Sequence, residues 1–265
     1  GASAAAMSGL AQLPHPAWFY PGGGALPPAA YVAALLAASN ATLQMDAQVA
    51  RVHRDGEQWQ ALDVDGRLLA QAPLLVLAGG HQGITLLHGL APGLPLATQR
   101  GQLSHLNRVD LAPKLPVAGL GYALPDQAGG LWCGATSQDG DPDPNLRAAD
   151  QAQNIAQWSR LSGVELVTTH ALSGRVAWRL STPDRLPLVG GLPMTAQHQD
   201  QPRFIARQPG LAVCTALGSR GITWAALCAQ VLAAQVTGAP VPLEASLLDA
   251  IDPARFAVRA LRQLR

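Results

Sequence analysis

Two stretches, "PLLVLAGGHQG" (residues 73–83) and "GLAVCTALGSRGIT" (residues 210–223), share one pattern. Each is a short continuous apolar run, closed by glycine and followed by helix-forming sequence. A strand that is apolar at every position has both faces covered, which is the habit of parallel strands under helices. Two strand–turn–helix units so far apart in the chain predict an α/β layer built from both ends of the sequence.

What lies before and between them reads differently. "AQVARVHR", "WQALDV" and "RLLAQA" are short, roughly alternating and joined by Asp55-Gly56 and Asp65-Gly66, which predicts a three-stranded meander. Before them, "PGGGALPPAAYVAALLAASN" is a glycine turn, a proline helix start and a helix ending near Asn40. Beyond residue 96, "RGQLSHL", "PVAGLGYAL" and "GLWCGAT" read as strands, and "LRAADQAQNIAQWSRL" as a helix. "VELVTTHALSGRVAWRLS" reads as strand again, and "TPDRLPLVGGLP" as a proline- and glycine-punctuated loop. The apolar helix over 222–236 is expected to be buried, and the tail after residue 245 to be two short helices broken at Pro253. The expected division is one domain from 1–96 and 208–265, with a second, 97–207, inserted between its halves.

Composition narrows the class. With 48% hydrophobic and 13% charged residues, the chain has apolar surface for a large interior. A net charge of +1 excludes a strong field over the whole protein for nucleic acid, while leaving room for a local basic face. Cys133, Cys214 and Cys228 form no CxxC pair, so they read as core residues of a reducing compartment such as the cytoplasm. No metal motif, GxSxG, P-loop or strand-borne GxGxxG occurs. No apolar run reaches the roughly 18–20 residues of a membrane span, and no secretory signal is expected at the start.

Three stretches carry candidate chemistry. In "ALGSRGIT", Gly218 and Gly221 flank Arg220 at a helix start. Either this is a tight turn with a solvated arginine, or the glycines admit a flat or anionic group to the amides while Arg220 grips a carboxylate. In "RVAWRLSTPDRLPLVGG", Arg175 and Arg179 share a strand face and Thr182-Pro183-Asp184 forms a turn, readable as two solvated arginines and an Asx-type turn. In "DPARFAVRALRQLR", Arg255, Arg259 and Arg262 fall on one helical face by 3–4 spacing. Phosphate contact and a solvated helix face are both open readings.

Taken together these stretches resemble the FAD-dependent oxidases of the D-amino-acid oxidase and glycine oxidase superfamily. That group has a terminal "G…RG(I/L)…P" segment against the flavin and a "G-x-R-x-x-T-x-D-x-x-P-x-x-G" segment beneath the substrate. Here they are "ALGSRGITWAALCA" and "VAWRLSTPDRLPLVG". Within the superfamily, "FYPGGGALPPAAY", "LVLAGGHQ", "RGQLSH", "ALGSRGITWAALCAQVLAAQ" and "DPARFAVRALR" resemble the oxidoreductase half of the bacterial bifunctional tRNA 5-methylaminomethyl-2-thiouridine biosynthesis proteins, over nearly the whole chain.

The resemblance implies a mixed α/β fold: part of a Rossmann-like FAD-binding domain with an inserted mixed β-sheet substrate domain of the glycine oxidase type. It implies FAD as cofactor, and as substrate a tRNA whose wobble uridine bears a carboxymethylaminomethyl arm. Arg179 and Arg220 would clamp the arm's carboxylate. Gly218, Ser219 and Gly221 would approach the flavin ring, with Ile222 and Thr223 at the helix start, and Gly79 and Gly80 would pass near the adenine-ribose-pyrophosphate part. Arg255, Arg259 and Arg262 would contact the tRNA. The family's GxGxxG unit and its linked methyltransferase domain, which uses S-adenosylmethionine, are expected before residue 1, so this chain by itself is expected to hold FAD weakly or not at all. The competing expectations are an oxidase of free small amines such as glycine, and an inactive module that binds tRNA or a partner.

Overall fold

A computed structural model describes residues 2–10, 13–107, 112–126, 128–165, 172–194 and 201–263. The chain falls into two compact units, one made of residues 1–40 and 99–178, the other of residues 41–98 and 179–265.

The first unit is built on one antiparallel sheet. Its strands are β5 (Ala97–Leu106), β6 (Val117–Ala118), β7 (Tyr122–Pro125), β8 (Leu131–Gly134), β9 (Gln138–Asp139) and β10 (Ser173–Ser181), in the order β10-β5-β8-β7-β6, with β9 also on β5. Alternation sorts the side chains of β5: Arg100, Gln102, Ser104 and Leu106 are buried, while Leu103 and His105 are only half-buried. The buried face packs on helix α4 (Ala148–Ser162), where Ile155 and Trp158 meet Leu106, Ala123, Leu131 and Cys133. Leu10, just past helix α1 (Ala2–Ser8), joins the same cluster. Helix α2 (Pro28–Ala37) starts on prolines, as the sequence requires, and buries none of its residues.

The second unit opens with the predicted meander: β1 (Arg51–Asp55), β2 (Gln58–Leu62) and β3 (Leu68–Ala72), paired antiparallel. The Trp59 indole N–H donates to the Pro209 carbonyl at 2.9 Å and ties the meander to a second sheet. That sheet has the order β11-β12-β4, from β4 (Leu75–Leu77), β11 (Leu188–Pro193) and β12 (Arg207–Thr215). β12 pairs parallel with β4 and antiparallel with β11. Helices α3 (Ile84–Leu90) and α5 (Gly221–Thr237) follow β4 and β12, and the tail forms α6 (Ala245–Ile251) and α7 (Arg255–Gln263), broken at Pro253 as expected. Trp59, Leu77, Leu87, Leu180, Leu188, Leu211 and Val213 make the main core.

Several expectations are corrected. The divisions fall at 40/41, 98/99 and 178/179, not at 96/97 and 207/208. The opening segment joins the first unit because Leu10 is buried beside Leu106 and Trp158, and residues 179–207 join the second because β11 pairs with β12. β11 was expected as loop on account of Gly190, Gly191 and Pro193. Gly190 instead lets α5 approach, since a Cβ there would lie 3.0 Å from the Gln235 Oε1, and Gly191 makes room for the Arg207 side chain. β4 is not buried on both faces, since Leu77 on one is buried while Val76 on the other is 39% exposed. Nor is α5 buried all round. Cys228, Val231, Leu232 and Ala234 face the sheet, while Ile222, Leu227 and Val236 are exposed. Of the strand expected over 164–181, residues 166–171 lie outside the described residues, and β10 covers the end.

Candidate active site

The parallel pairing of β4 with β12, Leu77 opposite Val213, sets both strands running the same way. Their carboxyl ends therefore lie side by side, and each leads through a glycine turn into a helix. Ligands of open α/β sheets bind at such ends, where the chain reverses and helix N-termini converge. After β4 the turn is Gly79-Gly80, with Gly80 at φ +56°. After β12 it is Ala216-Leu217-Gly218, with Ala216 at φ +56° and Gly218 at φ +58°. Left-handed backbone at Gly80 and Gly218 needs residues without a Cβ penalty, and a Cβ on Gly80 would meet nothing within 4 Å, so the space beside that turn is open.

A single 3-10 turn, Gly218–Arg220, leads into α5. The helix start has no side-chain cap and no acidic residue, so its first amides keep their unfilled donor capacity. Ser219, Arg220, Ile222 and Thr223 are exposed there. The Thr223 hydroxyl donates to the Arg220 carbonyl at 2.9 Å, which turns the threonine back onto the turn. The Arg220 guanidinium sits 5.7 Å from the centre of the Trp224 ring, a cation–π contact that leaves its N–H fork unspent.

The structure brings the second arginine motif to this turn. A Cβ on Gly218 would lie 3.9 Å from that of Ser181, at the end of β10. Arg179 is one pleat back on the same strand face, roughly 7 Å away along the strand. Among the described residues neither Arg179 nor Arg220 has a carboxylate partner. The sequence reading named Gly218 but not Ser181, because nothing in the spacing of the two motifs signals that they touch.

Past Ser181 the chain makes a tight knot. The Thr182 hydroxyl donates to the Asp184 carboxylate at 2.8 Å. Arg255, 2% exposed, donates to the same carboxylate at 2.9 and 3.0 Å and to the carbonyls of Leu186 and Pro187. Arg259 reaches it at 2.5 Å. Burial pushes Asp184 up, but the bonds from Arg255, Arg259 and Thr182 overcome it and hold the carboxyl well below the ordinary range. This corrects the expected basic stripe. Helix α7 does carry Arg255, Arg259 and Arg262, but Arg255 points inward and is consumed by Asp184 and three carbonyls, so only Arg259 and Arg262 are exposed.

Residues 2–235 match the family model for FAD dependent oxidoreductases. The chain belongs to that family. The tRNA 5-methylaminomethyl-2-thiouridine biosynthesis bifunctional protein MnmC of Methylibium petroleiphilum is 48% identical to this oxidoreductase over 276 residues, taking in 97% of this chain and 42% of that protein. The protein of the same name from Burkholderia multivorans is 41% identical over 94% of this chain and 40% of its own length. The chain thus spans less than half the length of these relatives. Among solved structures, iminodiacetate oxidase from Chelativorans sp. BNC1 and glycine oxidase from Geobacillus kaustophilus each superpose with a TM-score of 0.61. They are 24% and 22% identical and cover 77% and 78% of this chain and 52% of theirs, which shows a shared fold.

FAD is the cofactor such a family implies. The open space beside Gly80 has room for the extended part of such a cofactor, and the exposed apolar side chain of Ile222 and the uncapped start of α5 fit a flat ring that takes up negative charge on reduction. Among the described residues no three His, Cys, Asp or Glu side chains group to hold a metal, and no helix is long and apolar enough to cross a membrane.

Proposed function

We propose that this oxidoreductase acts in tRNA modification, on the carboxymethylaminomethyl arm of a wobble (2-thio)uridine. The arm is an N-substituted glycine. Oxidation at the carbon between its nitrogen and its carboxylate, then hydrolysis, releases glyoxylate and leaves an aminomethyl group on the base. FAD, when bound, supplies the two-electron acceptor for that oxidation. In this reading residues 41–98 and 179–265 hold the cofactor and residues 99–178 face the RNA.

The chain's own residues bind and position. Arg179 and Arg220 grip the glycine carboxylate, each as a planar fork matched to two oxygens. Fixing the carboxylate fixes the adjacent carbon, and positioning of this kind supplies a large share of catalysis. Gly218, Ser219 and Gly221 leave room for the ring, Gly79 and Gly80 line the path of the rest of the cofactor, and the first amides of α5 at Ile222 and Thr223 favour negative charge at the ring's edge. Of the three arginines on α7, the exposed Arg259 and Arg262 face the RNA in this reading, and the buried Arg255 does not.

The observation that carries the reading is the convergence of two glycine turns at the ends of β4 and β12 with Ser181 beside Gly218 and two arginines that, among the described residues, no carboxylate matches. It draws its substrate from the similarity to the MnmC proteins. The test is nucleoside analysis of tRNA carrying the carboxymethylaminomethyl group after incubation with the full-length protein and FAD. The aminomethyl nucleoside and glyoxylate are expected in equal amounts. Turnover of free glycine or N-methylglycine with none of tRNA assigns the protein to small-amine oxidation instead.

A further inference from the structure

The sheet of the first unit packs one face on helix α4, and its opposite face carries, by alternation along β10, Ser173 and Arg175 and, further on, Arg179 and Ser181. On that opposite face, a set of polar and aromatic side chains meets that the oxidation site does not use. His105 on β5 stacks on Trp132 on the neighbouring β8, with ring centres 4.3 Å apart and planes 26° from parallel. The His105 Nε2 lies 2.7 Å from an Asp126 carboxylate oxygen. Asp126 also accepts the backbone N–H groups of Ala128 at 2.8 Å and Gly130 at 2.6 Å. Its carboxyl is held below the ordinary range, first by the His105 bond. An ionised carboxylate only accepts, so Nε2 carries the proton and the ring is fixed in position and tautomer. The His105 Nδ1 faces the Ser173 hydroxyl at 3.3 Å.

Ser173 begins β10, and its contact with His105 puts it on that face of the sheet. Side chains alternate along a strand, so Arg175 stands on the same face, one pleat or roughly 7 Å further along. Arg175 is exposed and, among the described residues, has no ion pair or hydrogen bond. The carboxylate in this group, Asp126, is already spent on three donors. The face therefore offers an unmatched planar cation, a hydroxyl and an aromatic pair locked in place. These are the elements that hold an unpaired nucleotide: a fork and a hydroxyl for the phosphate, and rings for the base. The trio of Ser173, His105 and Asp126 has the membership of a hydrolytic triad, but its serine lies on an open strand, not at a strained strand-to-helix turn where a nucleophile is presented.

We infer that this face binds an unpaired nucleotide of the RNA substrate, with Arg175 and Ser173 on a phosphate and the Trp132–His105 pair against a base. The inference rests on the RNA reading above and adds a site to it. Asp126 and His105 act as positioning residues: they fix the ring stack and the serine.

The test is fluorescence anisotropy with a labelled anticodon stem-loop RNA and the full-length protein, over a series of salt concentrations. Arg175→Ala is expected to weaken binding about tenfold and to lower the salt slope by about one. Arg175→Lys should keep the slope and lose part of the affinity, since it keeps the charge without the fork. Trp132→Leu should weaken binding roughly five- to tenfold and Trp132→Phe should restore most of it. Arg54→Ala, which removes the same charge from exposed β1, should stay within about twofold. Arg175 is exposed and unpaired, so its replacement leaves the fold intact and its result stands even if the Trp132 variants melt early. Unchanged affinity and slope in Arg175→Ala overturn the site, and so does an equal loss in Arg54→Ala. If the wild-type protein binds no RNA, it is the tRNA reading that fails, and the site fails with it.

Discussion

Arg100 and Arg220 are the same side chain in opposite conditions. Arg100, fully buried on β5, spends all its donors inside the protein: Nε on the Asp143 carbonyl at 2.6 Å, Nη1 on Asp150 at 2.6 Å and Gln138 at 3.3 Å, Nη2 on the Asn145 carbonyl at 2.6 Å and Gln102 at 3.3 Å. Arg220 is exposed, touches Trp224 with its face and, among the described residues, pairs with no carboxylate. The first cation has its anion supplied by the fold. The second stands at a glycine turn and an uncapped helix start and has none. Their difference teaches where to look for a ligand: at the cation whose fork the protein leaves unmatched. Conversely, a quoted motif such as "RGQLSH" owes its arginine to a loop it pins, residues 138–150, and not to substrate.

Removing Arg100 gives the largest expected effect. Asp150 would be left buried with only the Gln138 amide at 2.9 Å, and breaking a buried pair from one side costs about 3–5 kcal/mol. Urea unfolding of Arg100→Ala should show that loss, while Arg100→Met combined with Asp150→Leu should recover only the part due to the stranded Asp150 charge, because the Asp143 and Asn145 carbonyls lose their donor in both variants. A fully stable Arg100→Ala breaks the contrast at its root. At the other pole, Arg179→Ala or Arg220→Ala should cost about 2–5 kcal/mol in affinity for the glycine arm and only within about 0.5 kcal/mol of stability. Single-turnover reduction at limiting tRNA reads the first and denaturation the second. If both variants react at the wild-type rate, the clamp is not theirs.

The sequence made one half of this contrast legible. The meander, the broken tail and the helix over Ala148–Ser162 follow from alternation, turn pairs and caps, all local. The glycine turns after β4 and β12 were also visible, since a buried run closed by glycine is a local signal. What stayed hidden depends on distant partners. β11 is a strand because β12 pairs with it, and its Gly190 admits Gln235 from α5. Arg255 reads as one of three exposed arginines until Asp184, 71 residues earlier, is seen to claim it. His105, Asp126 and Ser173 lie on three separate segments, and no spacing rule connects them.

Asp184 gives the next effect in size. Its folded-state carboxyl sits below the ordinary carboxylate range, whereas in the unfolded chain it titrates near about 3.9. The folded state therefore binds fewer protons in acid. The stabilising contribution is complete above the unfolded value and is lost as pH falls from there toward the folded value. Acid unfolding of the wild type should steepen below roughly pH 4, and Asp184→Asn should be less stable at neutral pH but flatter in acid. An identical acid slope in the two proteins would remove Asp184 from the account.

The smallest effect separates two arginines on one carboxylate. Arg255 and Arg259 both reach the Asp184 Oδ2, at 2.9 and 2.5 Å, yet their side chains are 2% and 47% exposed. Coulomb attraction at such distances is similar for both, so burial decides the difference. Arg255 is desolvated and also holds the carbonyls of Leu186 and Pro187, so its loss strands a half-buried carboxylate and two acceptors. Arg259 exchanges its contact for water, and exposed pairs measure about 0.2–1 kcal/mol. Arg259→Ala should therefore lose at most about 1 kcal/mol, and 1 M salt should erase most of the gap from wild type, because charges near the surface are screened over about 3 Å there. Arg255→Ala should lose several times more and keep that loss in salt. Equal losses for the two variants would mean that Asp184 counts charges and not burial, and the distinction between a cation consumed by the fold and one left for a ligand would then fail where the two arginines share a single anion.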